Sequence, residues 1–190
     1  MRAVAGTDWL VGRDRGSEAS RRIHAAAADL IARKGWEAFT IDTLAAQVHC
    51  SPATIYRHAG GKTAIRDAVV AIHAARTVET VREAIRGLTG AERVVEATAL
   101  ALRRARSDPL TKALRSAHPL VESDWLPMSE AVAQFAAEMI GQKESDTLAQ
   151  QWLIRVFLAL LTWPMKDPDA EYRMLQRFLG PPYRQDARQD

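Results

Sequence analysis

Between residues 20 and 61 the apolar positions fall into three short helical registers separated by cap residues. Ile23, Ala27, Leu30 and Ile31 recur at the spacing of one face of an amphipathic helix, and Gly35 is placed to end it. With Ser17 or Ser20 as the cap, the pattern predicts a helix over 21–34. Thr40 predicts the start of a second helix, whose apolar positions Ile41, Leu44, Ala45 and Val48 follow i, i+3, i+4, i+7. Ser51-Pro52 then restarts a helix, with serine at the cap and proline at the first helical position. Ala59-Gly60-Gly61 stops it. Ahead of all three, residues 1–17 hold Gly6, Gly12, Gly16 and three arginines around an isolated Trp9-Leu10-Val11, and read as a mobile arm.

From Lys62 onward the chain reads as helix throughout. The pattern predicts helices near 62–87, 91–106, 109–117, 127–141, 144–163 and 167–179. Breaks are expected at Gly87–Gly90, Asp108-Pro109, His118-Pro119, Gly141, Trp163-Pro164 and Gly180-Pro181-Pro182. No β-branched alternation with hairpin signals appears, nor any repeat, so the fold class is all-α. Residues 148–163 are apolar on more than one face: Leu148, Trp152, Val156 and Leu160 make one stripe, Leu153, Phe157 and Leu161 another. Such a helix is buried on two sides, in its own core or against a second subunit. Arg155 within it calls for a carboxylate partner or, failing that, an acidic ligand head group. Trp125, Phe135, Met139, Trp152 and Phe157 are candidates to line an apolar ligand cavity, against the plainer reading that each is core.

Composition sharpens this picture in one respect. The chain of 190 residues carries a formal net charge of +3. Residues 1–62 hold nine Lys/Arg against six Asp/Glu, and the rest of the chain is neutral, with 17 of each. The excess positive charge therefore sits at one end, where it suits a polyanion. Arg2, Arg13 and Arg15 of the arm are placed to add phosphate or groove contacts. Cys50 is the only cysteine, which excludes an intramolecular disulfide and points to a reducing, cytoplasmic setting. No secretory leader is expected, and the most apolar stretch, 152–165, falls short of the ~20 residues that span a bilayer.

Two helices joined by a short turn, at 41–58, have the arrangement that lays a second helix in the major groove of DNA. Leu44, Val48 and Ile55 can face inward, leaving Pro52, Ala53, Thr54, Tyr56, Arg57 and His58 mostly outward. Threonine reaches phosphates or base edges, tyrosine and arginine hold the backbone, and alanine permits close approach. The helix N-termini at Thr40 and Ser51 offer N–H groups to phosphate oxygens, and Lys62 adds a point charge. Enzyme chemistry finds no foothold. His24, His49, His58, His73 and His118 show no metal-ligand spacing, no metal or cofactor is expected, and no nucleophile elbow or phosphate loop stands out. The adjacent His49-Cys50 pair leaves one alternative open, a helical redox- or partner-sensing protein without sequence-specific DNA binding.

The stretch Gly35-Trp36-Glu37-Ala38-Phe39-Thr40-Ile41, with Leu44-Ala45, Ser51-Pro52-Ala53-Thr54-Ile55-Tyr56-Arg57-His58 and Lys62, resembles the TetR family of one-component repressors over about residues 20–68. Two positions depart from that pattern. His49 stands where the family usually has glycine, and Ala59 where it has an aromatic. Histidine tolerates left-handed backbone better than most residues, whereas alanine removes a wedge between the third and fourth helices. The resemblance implies that Thr40, Ser51, Thr54, Tyr56, Arg57, His58 and Lys62 lie at the DNA face, chiefly on phosphates. It also implies that the last two helices pair with their symmetry mates in a homodimer. The organisation expected is an arm at 1–16, a helix-turn-helix domain at 17–77 and a ligand-binding and dimerisation domain at 78–190. The function expected is a DNA-binding regulator, acting as a repressor released from its double-stranded operator by a small, mostly apolar inducer.

Overall fold

Thr40, Ser51, Asp108 and Asp167 cap helix starts through their side chains, and Gly35 and Gly60 close two helices at positive φ. A computed structural model describes residues 8–117, 130–140 and 147–183, and every element among them is helical. In chain order these are α1 (Asp8–Lys34), α2 (Ile41–Val48), α3 (Pro52–Ala59), α4 (Lys62–Ala84), α5 (Gly90–Ser107), α6 (Pro109–Ala117), α7 (Glu130–Ile140), α8 (Thr147–Thr162) and α9 (Pro168–Met174). The last continues into a π-helical turn, Leu175–Leu179, and a short 3-10 turn, Pro181–Tyr183. None of these helices is long and apolar enough to cross a membrane. The chain divides into two compact units, Met1–Val70 and Ala71–Asp190, with the boundary inside α4.

In the first unit α1 packs against both α2 and α3, and α2 packs against α3. Ile23, Ala27, Leu30 and Ile31 of α1 meet Phe39, Leu44, Ala45, Ile55 and Ile65 in one buried core. The i, i+3/i+4 spacing read from the sequence is the face that is buried. One boundary differs. α1 begins at Asp8, not at Ser17 or Ser20, so residues 8–17 are helical where a mobile arm is expected. Gly12 and Gly16 each cost about 1 kcal/mol in a helix interior. Extending a helix already nucleated over 18–34 adds one hydrogen bond per residue and no new nucleus. Residues 1–7, with Arg2, lie outside the described residues.

In the second unit α5 is the central helix. It buries Val94, Val95, Ala97, Thr98, Ala99, Leu102 and Ala105, and packs against α6, α7, α8 and the C-terminal turns. A Cβ placed on Gly180 would lie only 2.9 Å from the Gln176 carbonyl oxygen of its own turn, and in ordinary contact, 3.5 Å, with the Val95 side chain of α5. The most buried ion pair described is here. Arg106 of α5 donates to both carboxylate oxygens of Glu171, at 2.7 and 2.9 Å, and to the Leu160 carbonyl at 2.7 Å. The Met165 N–H donates to the same carboxylate at 3.2 Å. Burial alone would raise the Glu171 pKa. The hydrogen bonds from Arg106 and Met165, with the Arg106 charge, outweigh it and hold the carboxyl below its ordinary range.

Among the described residues Arg155 meets no such partner. It is exposed on α8 and donates to Gln151 of the preceding turn at 3.3 Å, which corrects the expectation of a carboxylate. The two apolar stripes of α8 also part company. Leu153, Ile154, Leu158 and Leu161 are buried, while Leu148 and Trp152 are 79% and 45% exposed.

Candidate nucleic-acid interface

Each helix of the pair at 41–59 is started by a side-chain cap. The Thr40 hydroxyl accepts from the Thr43 N–H at 3.1 Å, and the Thr43 hydroxyl accepts from the Thr40 N–H at 3.0 Å. Two of the N–H groups that a helix start leaves without an intrahelical partner are thereby satisfied. At α3 the Ser51 hydroxyl accepts from the Thr54 N–H at 3.2 Å and lies 3.0 Å from the Thr54 hydroxyl. Pro52 follows at the first helical position. The turn between them depends on His49, whose φ of 56° and ψ of 48° are left-handed. An L residue adopts that conformation at a cost, and histidine stands in here for glycine. With His49 so placed, Cys50 N–H reaches back to the Ala45 carbonyl at 3.0 Å and closes α2. Cys50 itself is half-buried, its thiol 3.5 Å from the Ser51 carbonyl.

The helix pair is then fixed to α1. Gln47 of α2 donates to the Ala26 carbonyl at 3.4 Å and to the Asp29 carboxylate at 3.2 Å. Hydrogen bonding from Arg33, helped by its charge and by Gln47, holds Asp29 below the usual carboxylate range against a smaller effect of burial. Leu44 and Ile55 are fully buried, and Val48 is half-buried.

Ile55 is the one residue that α3 buries. Ser51, Pro52, Ala53, Tyr56 and Arg57 are exposed, and Thr54 and His58 half-buried; Tyr56 is 58% exposed. Thr40 is exposed and Lys62, at the start of α4, is half-buried. Arg57 donates to His58 Nε2 at 3.4 Å, so the histidine ring offers that nitrogen as an acceptor. Ala59 leaves no aromatic wedge here. A Cβ on Gly60, whose φ is 77°, would stand 3.0 Å from the Ala64 Cβ, so small residues meet where a ring is usual.

Two aromatic residues of the family-like stretch, Trp36 and Phe39, carry a role that the sequence does not assign them. Trp36 is buried and stacks on Phe39 with ring centroids 5.4 Å apart. Lys62 Nζ lies 4.6 Å from the Trp36 ring centroid and 5.9 Å from that of Phe39. The available signal was an aromatic directly after the helix-ending Gly35. Nothing local, however, connects it with a lysine 26 positions away.

Residues 23–69 match the family model for bacterial regulatory proteins of the TetR family. Across 185 residues, covering 94% of this chain and 91% of the relative, the chain is 29% identical to an uncharacterized HTH-type transcriptional regulator of Mycobacterium tuberculosis. Over residues 23–69 the chain is thus of the TetR type. It is a DNA-binding transcriptional regulator. Among solved structures, the TetR-family repressor AlkX of Dietzia sp. strain DQ12-45-1b shares its fold, with a TM-score of 0.67 and 22% identity over 84% of this chain and 91% of that one. FadR of Bacillus subtilis, solved with stearoyl-CoA, does so with a TM-score of 0.58 and 17% identity over 85% and 98%. The family match ends at Val69, next to the boundary between the two units.

The proposed ligand residues are scattered in environment. Met139 is buried, Phe135 and Phe157 are half-buried, and Trp152 is largely exposed. Trp125 lies outside the described residues. Phe135 and Met139 ride on α7, which packs against α5 and α8. Arg82 ties the second half of α4 to α7, donating to the two oxygens of Glu138 at 2.9 Å each and lying 5.7 Å from the Phe135 ring.

Proposed function

We propose that this TetR-type protein is a homodimeric cytoplasmic repressor that binds a near-palindromic operator and leaves it when a small, mostly apolar ligand enters its second unit. It acts by binding and not by catalysis. The observation that carries the DNA side is α3, which buries Ile55 alone and leaves Pro52, Ala53, Tyr56 and Arg57 exposed. A helix that served only its own core would bury a broader stripe. Thr40, Ser51, Thr54, Tyr56, Arg57, His58 and Lys62 are the groups assigned to phosphates, with Pro52 and Ala53 closest to the groove floor. Two such heads, about 34 Å or a multiple of it apart, read successive turns of one face of the duplex.

The dimer reading is supported by the apolar surface left on the C-terminal helices. Leu148, Trp152 and Phe178 stand out from a single chain, and Trp163, at the end of α8, is 87% exposed. Groups of large apolar side chains so exposed mark a surface that meets another molecule, and the occupant proposed is a second copy. On this reading Trp152 belongs to the subunit face, and Phe135, Met139 and Phe157 to the ligand wall. A long alkyl or acyl chain is the ligand class favoured, because FadR was solved with stearoyl-CoA and AlkX is implicated in n-alkane biodegradation. A ligand that parts α7 from α4 must disturb the Arg82–Glu138 pair, which makes that pair the natural point of transmission.

Selection from random duplex DNA tests the first half. A near-palindromic site is expected, with affinity falling on a log–log salt slope of about −0.9 for each phosphate neutralised. Recovery of no preferred sequence at low salt sinks the DNA-reading role. Titration with stearoyl-CoA and with free long-chain fatty acids, in the presence and absence of the selected duplex, tests the second. Operator binding is expected to weaken about 5- to 150-fold at saturation. Equal ligand affinity with and without DNA rules out an inducer, since such a ligand shifts no equilibrium.

A further inference from the structure

Trp36 sits in the segment between α1 and α2, buried and stacked on Phe39, with an interplanar angle of 23°. Two cations approach this pair. Arg66 lies 5.9 Å from the Trp36 ring centroid and is already matched by Asp67, to which its Nε donates at 2.8 Å. Lys62 Nζ is closer, at 4.6 Å, and among the described residues it meets aromatic faces and no carboxylate. We infer that Trp36 is a positioning residue for DNA binding: its indole holds the Lys62 ammonium in place without neutralising it, ready for a backbone phosphate.

The physical case rests on what else could hold a lysine. Fixing its four-carbon stem costs rotamer freedom, so an unsupported lysine pays that cost when it meets DNA. A carboxylate would order the side chain but cancel the charge that attracts phosphate. An aromatic face orders it through the ring quadrupole and leaves the full charge in place. The support is needed here, because Lys62 is the first residue of α4, where the positive end of the helix dipole opposes an ammonium. Phe39, fully buried behind Trp36, keeps the indole from turning aside.

The inference rests on the reading of Lys62 as a phosphate contact, and the test separates the two. The probe is a short labelled duplex of mixed sequence, since phosphate contacts are indifferent to sequence. Lys62→Gln alone is expected to weaken binding and to flatten the salt slope. If it changes neither, the phosphate reading itself fails and the role of Trp36 falls with it. Trp36→Leu, which keeps apolar bulk, is expected to weaken binding about three- to tenfold, and Trp36→Phe to restore most of the loss. In the Lys62→Gln background Trp36→Leu should have no further effect. The same loss in both backgrounds means that Trp36 serves only the core, and wild-type affinity for Trp36→Leu also overturns the inference. Should the leucine variant fold poorly, fluorinated tryptophans placed at position 36 keep the ring's shape and drain its negative face. Affinity should then fall stepwise with each fluorine, and a flat series overturns the inference as well.

Discussion

Glu171→Gln will lower the stability of the protein by about 2–3 kcal/mol at neutral pH. Breaking one partner of a well-buried ion pair costs about 3–5 kcal/mol. Two features reduce that here: Arg106 keeps a quarter of its side chain exposed, and glutamine retains one acceptor for it. The loss should shrink in acid. The folded state holds the Glu171 carboxyl below its ordinary value of 4.5, so it binds that proton more weakly than the unfolded chain does. The stabilisation is therefore complete above the ordinary value and is lost as pH falls through the lower folded one. Urea unfolding of both proteins, at neutral pH and again at about pH 4 and below, measures the difference. A gap that stays constant across that range would mean that the charge of Glu171 contributes nothing.

Tyr56→Phe will leave stability unchanged and weaken operator binding about a hundredfold or more. The side chain stands mostly in solvent, so its hydroxyl supports nothing in the free protein. A hydrogen bond to a phosphate contributes roughly 1.5–3 kcal/mol, and a two-fold dimer loses two of them at once. The salt slope should hardly move, because a neutral hydroxyl displaces no counterion. Lys62→Gln, by contrast, should flatten the slope by about 0.9 per subunit. Fluorescence anisotropy on the selected duplex at several salt concentrations reads both quantities. A loss under threefold would take Tyr56 out of the DNA contact.

The features legible in the sequence are those that local chemistry writes into neighbouring residues. Thr40, Ser51-Pro52 and the glycines at 35 and 60 mark their helix ends because capping and left-handed turns act within four residues. Leu44 and Ile55 were legible as core because a period of 3.6 projects them inward. The start of α1 was not, since the glycines at 12 and 16 argue against helix while cooperativity along a helix already formed argues for it. Arg106 and Glu171 are 65 positions apart, and Lys62 and Trp36 are 26 apart. No periodicity links such residues; only the packed helices bring them together. Arg155 shows the converse error. An arginine in an apolar run calls for a carboxylate partner, and the structure instead exposes it on α8 beside Gln151.

The half-buried thiol of Cys50 gives this regulator a ruler of its own. The chain has one cysteine, and it stands in the turn between α2 and α3. The proposed homodimer would thus carry two attachment points, one in each copy of the first unit, with none elsewhere to confuse the signal. A small spin label on each would report the separation of the heads as a distance, with no substitution needed to install it. Two populations of that distance, traded one for the other as ligand is added, would show release from DNA as geometry.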